Sequence, residues 1–361
     1  MKDINYALVY CEGGFTTTNG KTAHGLVRFT ERFQIVAVID SRHKCPDSGI
    51  LLDGMPNGIP VVGDLDEGFR YASSRGFLVK SFIMGLAPDG GRLPESAVGT
   101  IRKALKARLD VYSGLHDYIS DNPDLMEVAV KNECQVVDIR KPPDSKSLHF
   151  FSGKIEKVGC LKIALLGTDS AVGKRTTAWK LVHALRSKGY KAELIGTGQT
   201  AWLQGAKYSI ILDSLVNDFV SGEIEHAIYE AWTHEAPDVI VLEGQGSLLN
   251  PAYPGGFELL AAGRPNLVIL QHAPRRKEYD GFPGYPIHPL NHQILAIEVI
   301  SGKKVSAITL NHEHMLVSEI PGECLKIQKE TGIPAFDVLE SGADELVKRI
   351  QPNISYENTR H

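Results

Sequence analysis

The run Leu161-Lys-Ile-Ala-Leu-Leu-Gly-Thr-Asp-Ser-Ala-Val-Gly-Lys-Arg-Thr-Thr177 constrains the fold more than any other segment. Its apolar opening reads as a buried strand, its middle as a loop with a glycine at each end, its close as a helix start. Such a loop curls so that several backbone N–H groups face one anion. The helix dipole adds to the attraction, and Lys174 adds a full charge. The segment predicts a phosphate-cradling P-loop on a parallel sheet. One residue departs from the pattern: Arg175 stands where a Mg2+-binding Ser or Thr ordinarily follows the lysine.

The 361 residues leave room for two or three domains. An apolar content of 43% with 23% charged residues is ordinary for a globular protein and lets each domain bury its own core. The formal net charge of −4 provides no basic field for nucleic acid or an anionic membrane. Five scattered cysteines without metal-like pairing read as reduced thiols. The N-terminus has no signal-peptide core, and no run of 18 apolar residues occurs. The expectation is a cytoplasmic protein with a small-molecule substrate, no nucleic-acid or membrane partner, and possible homo-oligomerisation, a dimer being the commonest kind.

The pattern along the chain is α/β throughout. An N-terminal Rossmann-like parallel sheet domain (residues 1–145) precedes a linker (146–160) and a P-loop NTPase-like parallel sheet domain (161–352); residues 353–361 read as a frayed tail. Strands are expected at 6–11, 34–40, 81–86, 110–113 and 135–138, then at 162–166, 192–195, 239–243, 267–271, 306–310 and 335–338. The second strand ends in Asp40, where a Rossmann-like unit places an acid that reads a ribose. Residues 14–22 repeat the Gly-x5-Gly-Lys spacing of the main loop. They read either as a second anion-binding loop, with Lys21 and Thr22 at the rim of a substrate cleft, or as an ordinary turn.

Gly-Thr-Asp-Ser-x-Val-Gly-Lys resembles the loop of the dethiobiotin synthetase and MinD-like branch of P-loop proteins. That resemblance implies that Gly167, Thr168, Asp169, Gly173, Lys174, Arg175, Thr176 and Thr177 bind the phosphates. It also implies that Glu243, ending the strand in Asp-Val-Ile-Val-Leu-Glu-Gly-Gln-Gly246, faces the loop, and that Asn311 meets a nucleobase, with residues 332–334 closing over it. Asp213 and Asp218 read as candidates for a metal or a substrate ammonium, or as solvated acids.

The whole chain resembles a two-domain P-loop family that includes D-glutamate N-acetyltransferase. The resemblance rests on Lys21-Thr-Ala-His-Gly-Leu-Val-Arg28, the main loop, Asp213…Asp218-Phe-Val-Ser-Gly222, Glu243-Gly-Gln-Gly-Ser-Leu-Leu-Asn-Pro-Ala-Tyr253 and Gln271-His-Ala-Pro-Arg-Arg276. It implies acetyl transfer from acetyl-CoA to the amine of a D-amino acid. The chain departs at Asn250, where that pattern has a His, and at Pro254-Gly-Gly-Phe257, where a more polar run is usual.

Arg175 bears on the choice of ligand. Arg cannot ligate a cation, and Thr176 lies about 100° further round the helix. A metal-free phosphate site, with Lys174 and Arg175 as counter-ions to CoA, is the first expectation; ATP with Mg2+ in a shifted loop register is the alternative. Acyl transfer needs a base, for which Glu243, His272 and His288 are candidates. It needs oxyanion donors, read at the N–H groups of residues 244–246. It also needs substrate contacts, read at Lys21, Thr22, Asp213, Asp218, Gln245 and Arg275, with Arg276 as a second clamp. Residues 279–289 read as a lid, a substrate wall or a surface loop. The expected function is acetyl-CoA-dependent N-acylation of an amino acid such as D-glutamate. The alternatives are an ATP/Mg2+-dependent carboxylate ligase or kinase, and a non-enzymatic nucleotide sensor.

Overall fold

The computed structural model describes residues 4–358. The chain forms two compact units: Met1–Pro142 with Gln199–Gly205, and Pro143–Gly198 with Ala206–His361. Among the described residues, each unit is built on one six-stranded, wholly parallel sheet.

The first sheet contains β1 (Tyr6–Tyr10), β2 (Gln34–Ile39), β3 (Val61–Val62), β4 (Val79–Met84), β5 (Asp110–Ser113) and β6 (Val136–Asp138). Its order, β3-β2-β1-β4-β5-β6, is that of a Rossmann fold. The short β3 escaped the sequence reading because two residues carry no periodicity. The helix Gln199–Gln204 also belongs to this unit: Gln204 Nε2 donates to the carbonyls of Gly25 (2.8 Å) and Phe29 (3.1 Å), and Trp202 lies under the Arg32 guanidinium.

Asp40 is not presented at the surface where a ribose would be read. It is fully buried, and its carboxylate accepts from the N–H groups of Gly13, Phe15 and Arg42, each at 3.0 Å, and pairs with His43 Nδ1 at 2.9 Å. Burial acts to raise its pKa. The hydrogen bonds from His43, Phe15, Gly13 and Arg42 outweigh burial and hold it below the usual carboxylate range. N–H groups of the first βα loop, which in a dinucleotide-binding domain would face a phosphate, thus face an internal carboxylate. The same occupancy argues against residues 14–22 as a second anion-binding loop. Thr22 is buried rather than at a rim; its hydroxyl meets Gln199 Nε2 (2.9 Å) and Thr200 Oγ1 (3.2 Å).

The second sheet contains β7 (Leu161–Gly167), β8 (Ala192–Gly196), β9 (Val239–Glu243), β10 (Leu267–His272), β11 (Val305–Leu310) and β12 (Ala335–Phe336), in the order β12-β11-β10-β7-β9-β8. Every residue of β7 is buried, as expected for a central parallel strand covered on both faces. Its register sets Leu165 beside Glu243 and Gly167 beside Gln271, so the ends of three strands converge below the loop.

Local departures have local causes. β12 ends at Phe336 because the Asp337 carboxylate accepts the N–H groups of Leu339 and Glu340 and caps the helix Val338–Ser341. Residues 146–160, read as a linker, pack into the second unit. Ile155 and Val158 are buried there, and the buried Glu225 carboxylate accepts from Ser152 N (2.6 Å) and Ile155 N (3.1 Å). The tail does not fray at Pro352. The helix Asp344–Asn358 continues because Leu346, Val347, Ile350 and Ile354, at helical spacing, are all buried; residues 359–361 lie outside the described residues.

Candidate functional site

The loop between β7 and the helix Lys174–Ser187 needs its glycines. A Cβ on Gly167 would stand 2.9 Å from both Lys174 Cδ and Val172 Cγ2, so glycine lets the lysine stem lie across the strand end. Gly173 has φ +97°, and Ala171 also takes positive φ. Lys174 is buried, and its Nζ donates to the carbonyls of Asp169 and Gly246, each at 2.8 Å. Burial lowers its pKa to about 8, against the pull of Glu243 and Asp169. Gly246 can present that carbonyl only as glycine: φ is +60°, and a Cβ would meet the Tyr253 carbonyl at 2.0 Å.

Asp169, expected to touch the ligand, is fully occupied by protein. Its Oδ1 accepts from Ser170 N and Asn250 Nδ2, each at 2.7 Å, and its Oδ2 from Asp280 N (2.8 Å) and Arg276 Nη1 (2.9 Å). Arg276 also donates to the Ser170 carbonyl and forms a bidentate pair with Glu313 at 2.7 and 2.8 Å. Burial pulls the Arg276 pKa down, but Glu313 and Asp169 outweigh it and hold it above the usual value. Arg276 is therefore an anchor of the loop rather than a substrate clamp, and Asp280 ties residues 279–289 to the same carboxylate. Arg275 is exposed and paired with Glu319 at 2.9 Å.

Glu243 is buried at the end of β9. Burial raises its pKa, with Arg175 and then Lys174 acting in the opposite direction. Its backbone carbonyl accepts from Thr197 Oγ1 (2.9 Å), and Gln245 Nε2 donates to the Thr197 carbonyl (2.7 Å), fixing the turn over β8. On the other flank, His272 ends β10. Burial lowers its pKa to about 4, and its Nδ1 meets Thr168 Oγ1 at 3.1 Å. Asn311 follows β11, and its Oδ1 accepts from Glu313 N at 3.0 Å. His288 is exposed and meets the Tyr279 hydroxyl at 2.8 Å. Asp213 lies in the short turn Leu212–Ser214 and Asp218 in the first turn of the helix Asn217–Glu235; both are exposed. Lys21 and Thr22 belong to the first unit.

Two positions that a P-loop nucleotidase would turn to magnesium are otherwise engaged here. Arg175 occupies the position of the ligating hydroxyl, and the Thr177 hydroxyl donates to Gln271 Oε1 at 2.7 Å. Among the described residues, no group of three or more His, Cys, Asp or Glu is arranged to hold a metal ion. No described helix is long and apolar enough to cross a membrane.

Sequence comparison matches residues 149–347 to a domain of unknown function described as the P-loop domain of DUF1611, and residues 42–142 to its Rossmann-like N-terminal domain. The chain belongs to the DUF1611 family. A crystal structure of a DUF1611 family protein from Anabaena variabilis is 28% identical, with a TM-score of 0.88 over 97% of this chain and 100% of that one. A D-glutamate N-acetyltransferase of Tritonibacter scottomollicae is 29% identical over 84% of this chain and 90% of its own length. A second D-glutamate N-acetyltransferase, from a Pseudoalteromonas species, is 27% identical over 75% of this chain and 81% of its own length.

Within this DUF1611 protein, the sequence reading located the loop, Lys174 and the Glu243 strand end. It missed the anchors Asn250, Arg276 and Asp280 around Asp169, with Glu313 in turn holding Arg276. The available signal was an acid two residues after Gly167, at the end of a largely apolar strand, where a charge is buried and demands partners.

Proposed function

We propose that this protein is an acetyl-CoA-dependent N-acetyltransferase acting on the amino group of a D-amino acid such as D-glutamate. The observation that carries the reading is the extent of similarity to D-glutamate N-acetyltransferases, which spans both domains and 90% of one relative. The loop is compatible with it: backbone N–H groups and Lys174 suit a CoA phosphate, and Arg175 supplies a second cation where a nucleotidase would need a metal ligand.

In this reading Glu243 is the base. Its pKa is raised by burial, which moves a carboxylate toward the range where it can take a proton from an ammonium group. The freed amine attacks the thioester carbonyl to form the C–N bond, the C–S bond breaks, and the proton lost from that nitrogen passes to the departing CoA thiolate. His272, neutral at pH 7, sits on the opposite flank of the loop as a hydrogen-bonding group.

The test is a thiol-release assay on the full chain with acetyl-CoA and D-glutamate, L-glutamate or other D-amino acids, with and without EDTA. CoA release with a D-amino acid, insensitive to EDTA and lost in Lys174→Ala, is the expected result. Mg2+-dependent ADP release from ATP without any CoA release would establish the ligase chemistry instead.

A further inference from the structure

Gln271 is fully buried, and its amide is held from one side only. Its Oε1 accepts from the hydroxyls of Thr177 (2.7 Å) and Thr309 (2.6 Å), while its Nε2 has no hydrogen-bond partner. An unmade bond on a buried donor is costly, so a native fold keeps one where something else satisfies it. The orphan nitrogen lies beside the P-loop: a Cβ placed on Gly173 would lie 3.9 Å from Gln271 Nε2 and 3.9 Å from Asn311 Nδ2. Gly173 directly precedes Lys174, so two side-chain amides bear on the turn that opens the helix. Thr177 lies in the first turn of that helix and Thr309 on β11, so the orientation of the amide is fixed from both the helix and the sheet.

We propose that Gln271 is a ligand-binding residue of this site, whose Nε2 donates to an oxygen of the phosphate or pyrophosphate held by the loop. The inference rests on the reading of the loop as a phosphate site but not on acetyl transfer. The two hydroxyls present the oxygen of the amide to themselves and leave the nitrogen for the anion. The site thereby gains a neutral donor that a lysine or arginine there would replace only by adding charge to the two cations already present.

Gln271→Glu separates binding from folding. A carboxylate still accepts from Thr177 and Thr309 but turns the donor into an anion. Gln271→Met removes the donor without adding charge. Pyrophosphate is titrated calorimetrically into the full chain in EDTA, at pH 5.5 and 7.5, with thermal melting of each free protein as a check on folding. Both variants are expected to bind about tenfold to a hundredfold more weakly than wild type at pH 7.5. Relative to wild type at the same pH, Gln271→Glu is expected to recover at pH 5.5, where a buried carboxyl becomes protonated and again donates; Gln271→Met is not. Wild-type affinity in both variants overturns the proposal while leaving the phosphate site standing. Failure of the wild-type protein to bind pyrophosphate overturns both. Pyrophosphate binding through Gln271 without CoA release would uphold this inference and sink only the acetyltransferase.

Discussion

Asn250 donates its side-chain amide to the Asp169 carboxylate at 2.7 Å, both groups being buried, while its own Oδ1 accepts the N–H groups of Ala252 and Tyr253. One residue therefore joins the turn after β9 to the P-loop through a neutral donor. Asn250→Asp would set two carboxylates against each other in a buried site. The expected loss is about 3–5 kcal/mol of stability at pH 8. The carboxyl pair would have one strongly raised pKa, so the folded variant binds the extra proton more tightly and the loss shrinks as pH falls toward 5. Urea denaturation at both pH values checks this; an equal loss at each would rule out charge repulsion as the cause.

Lys174 links anion binding to pH. Its folded pKa of about 8 lies below the ordinary 10.5, so between these values the unfolded chain carries more protons and the free protein gains stability as pH rises. Anion affinity moves the opposite way because it needs the charged amine. Pyrophosphate affinity should begin to fall as pH approaches 8 and steepen above it to at most about tenfold per unit. Calorimetric titration from pH 7 to 9.5 measures it. A flat profile to 9.5 would place the Lys174 pKa near its ordinary value.

His272 contributes acid sensitivity. Its pKa is lowered from 6.5 to about 4, so in that window the unfolded chain takes up a proton that the folded protein refuses. Stability is present above pH 6.5 and lost as pH falls toward 4, by roughly 3 kcal/mol in all. His272→Asn should flatten the wild-type stability profile between pH 6.5 and 4. Chemical denaturation of both proteins at half-unit steps reads the difference, and parallel profiles would count against a half-buried neutral imidazole.

Asp40 predicts a stability defect in the Rossmann-like unit. Asp40→Asn keeps one acceptor but turns an NH2 group toward donors that now face a carboxylate oxygen. The cost should be about 2–4 kcal/mol, from buried donors left unmet. Because the Asp40 pKa is lowered in the folded protein, its stabilisation is present above the unfolded value of 3.8 and is lost as pH falls through the folded value. The variant's deficit should therefore narrow in acid. A melting temperature unchanged from wild type at pH 7 would contradict the network.

Much of the fold was legible because parallel strands buried on both faces are continuous apolar runs. β7 and β9 announce themselves in this way, and the glycines and Lys174 mark the turn between strand and helix. Short elements were not legible. β3 has two residues, and the helix Gln199–Gln204 joins the first unit by contacts with residues about 170–180 positions earlier in the chain. The loop was readable as a motif, but the roles within it were not: Asp169 looked like a ligand contact and is an anchor.

Two α/β units, a P-loop after β7, and an arginine where a metal-ligating hydroxyl is usual can all be read along the chain. These are local facts, carried by residues within a strand, a turn and a helix start. Which polar groups answer one another depends on the packing of the sheet. Asp169 meets Asn250, Arg276 and Asp280 across separations of 81, 107 and 111 residues, and Gln271 meets Thr177 and Thr309 across 94 and 38. The parallel sheet brings those distant strand ends to one edge. A buried charge or amide must be paired there, and the pairing depends on which strands are neighbours rather than on which residues are adjacent in the chain.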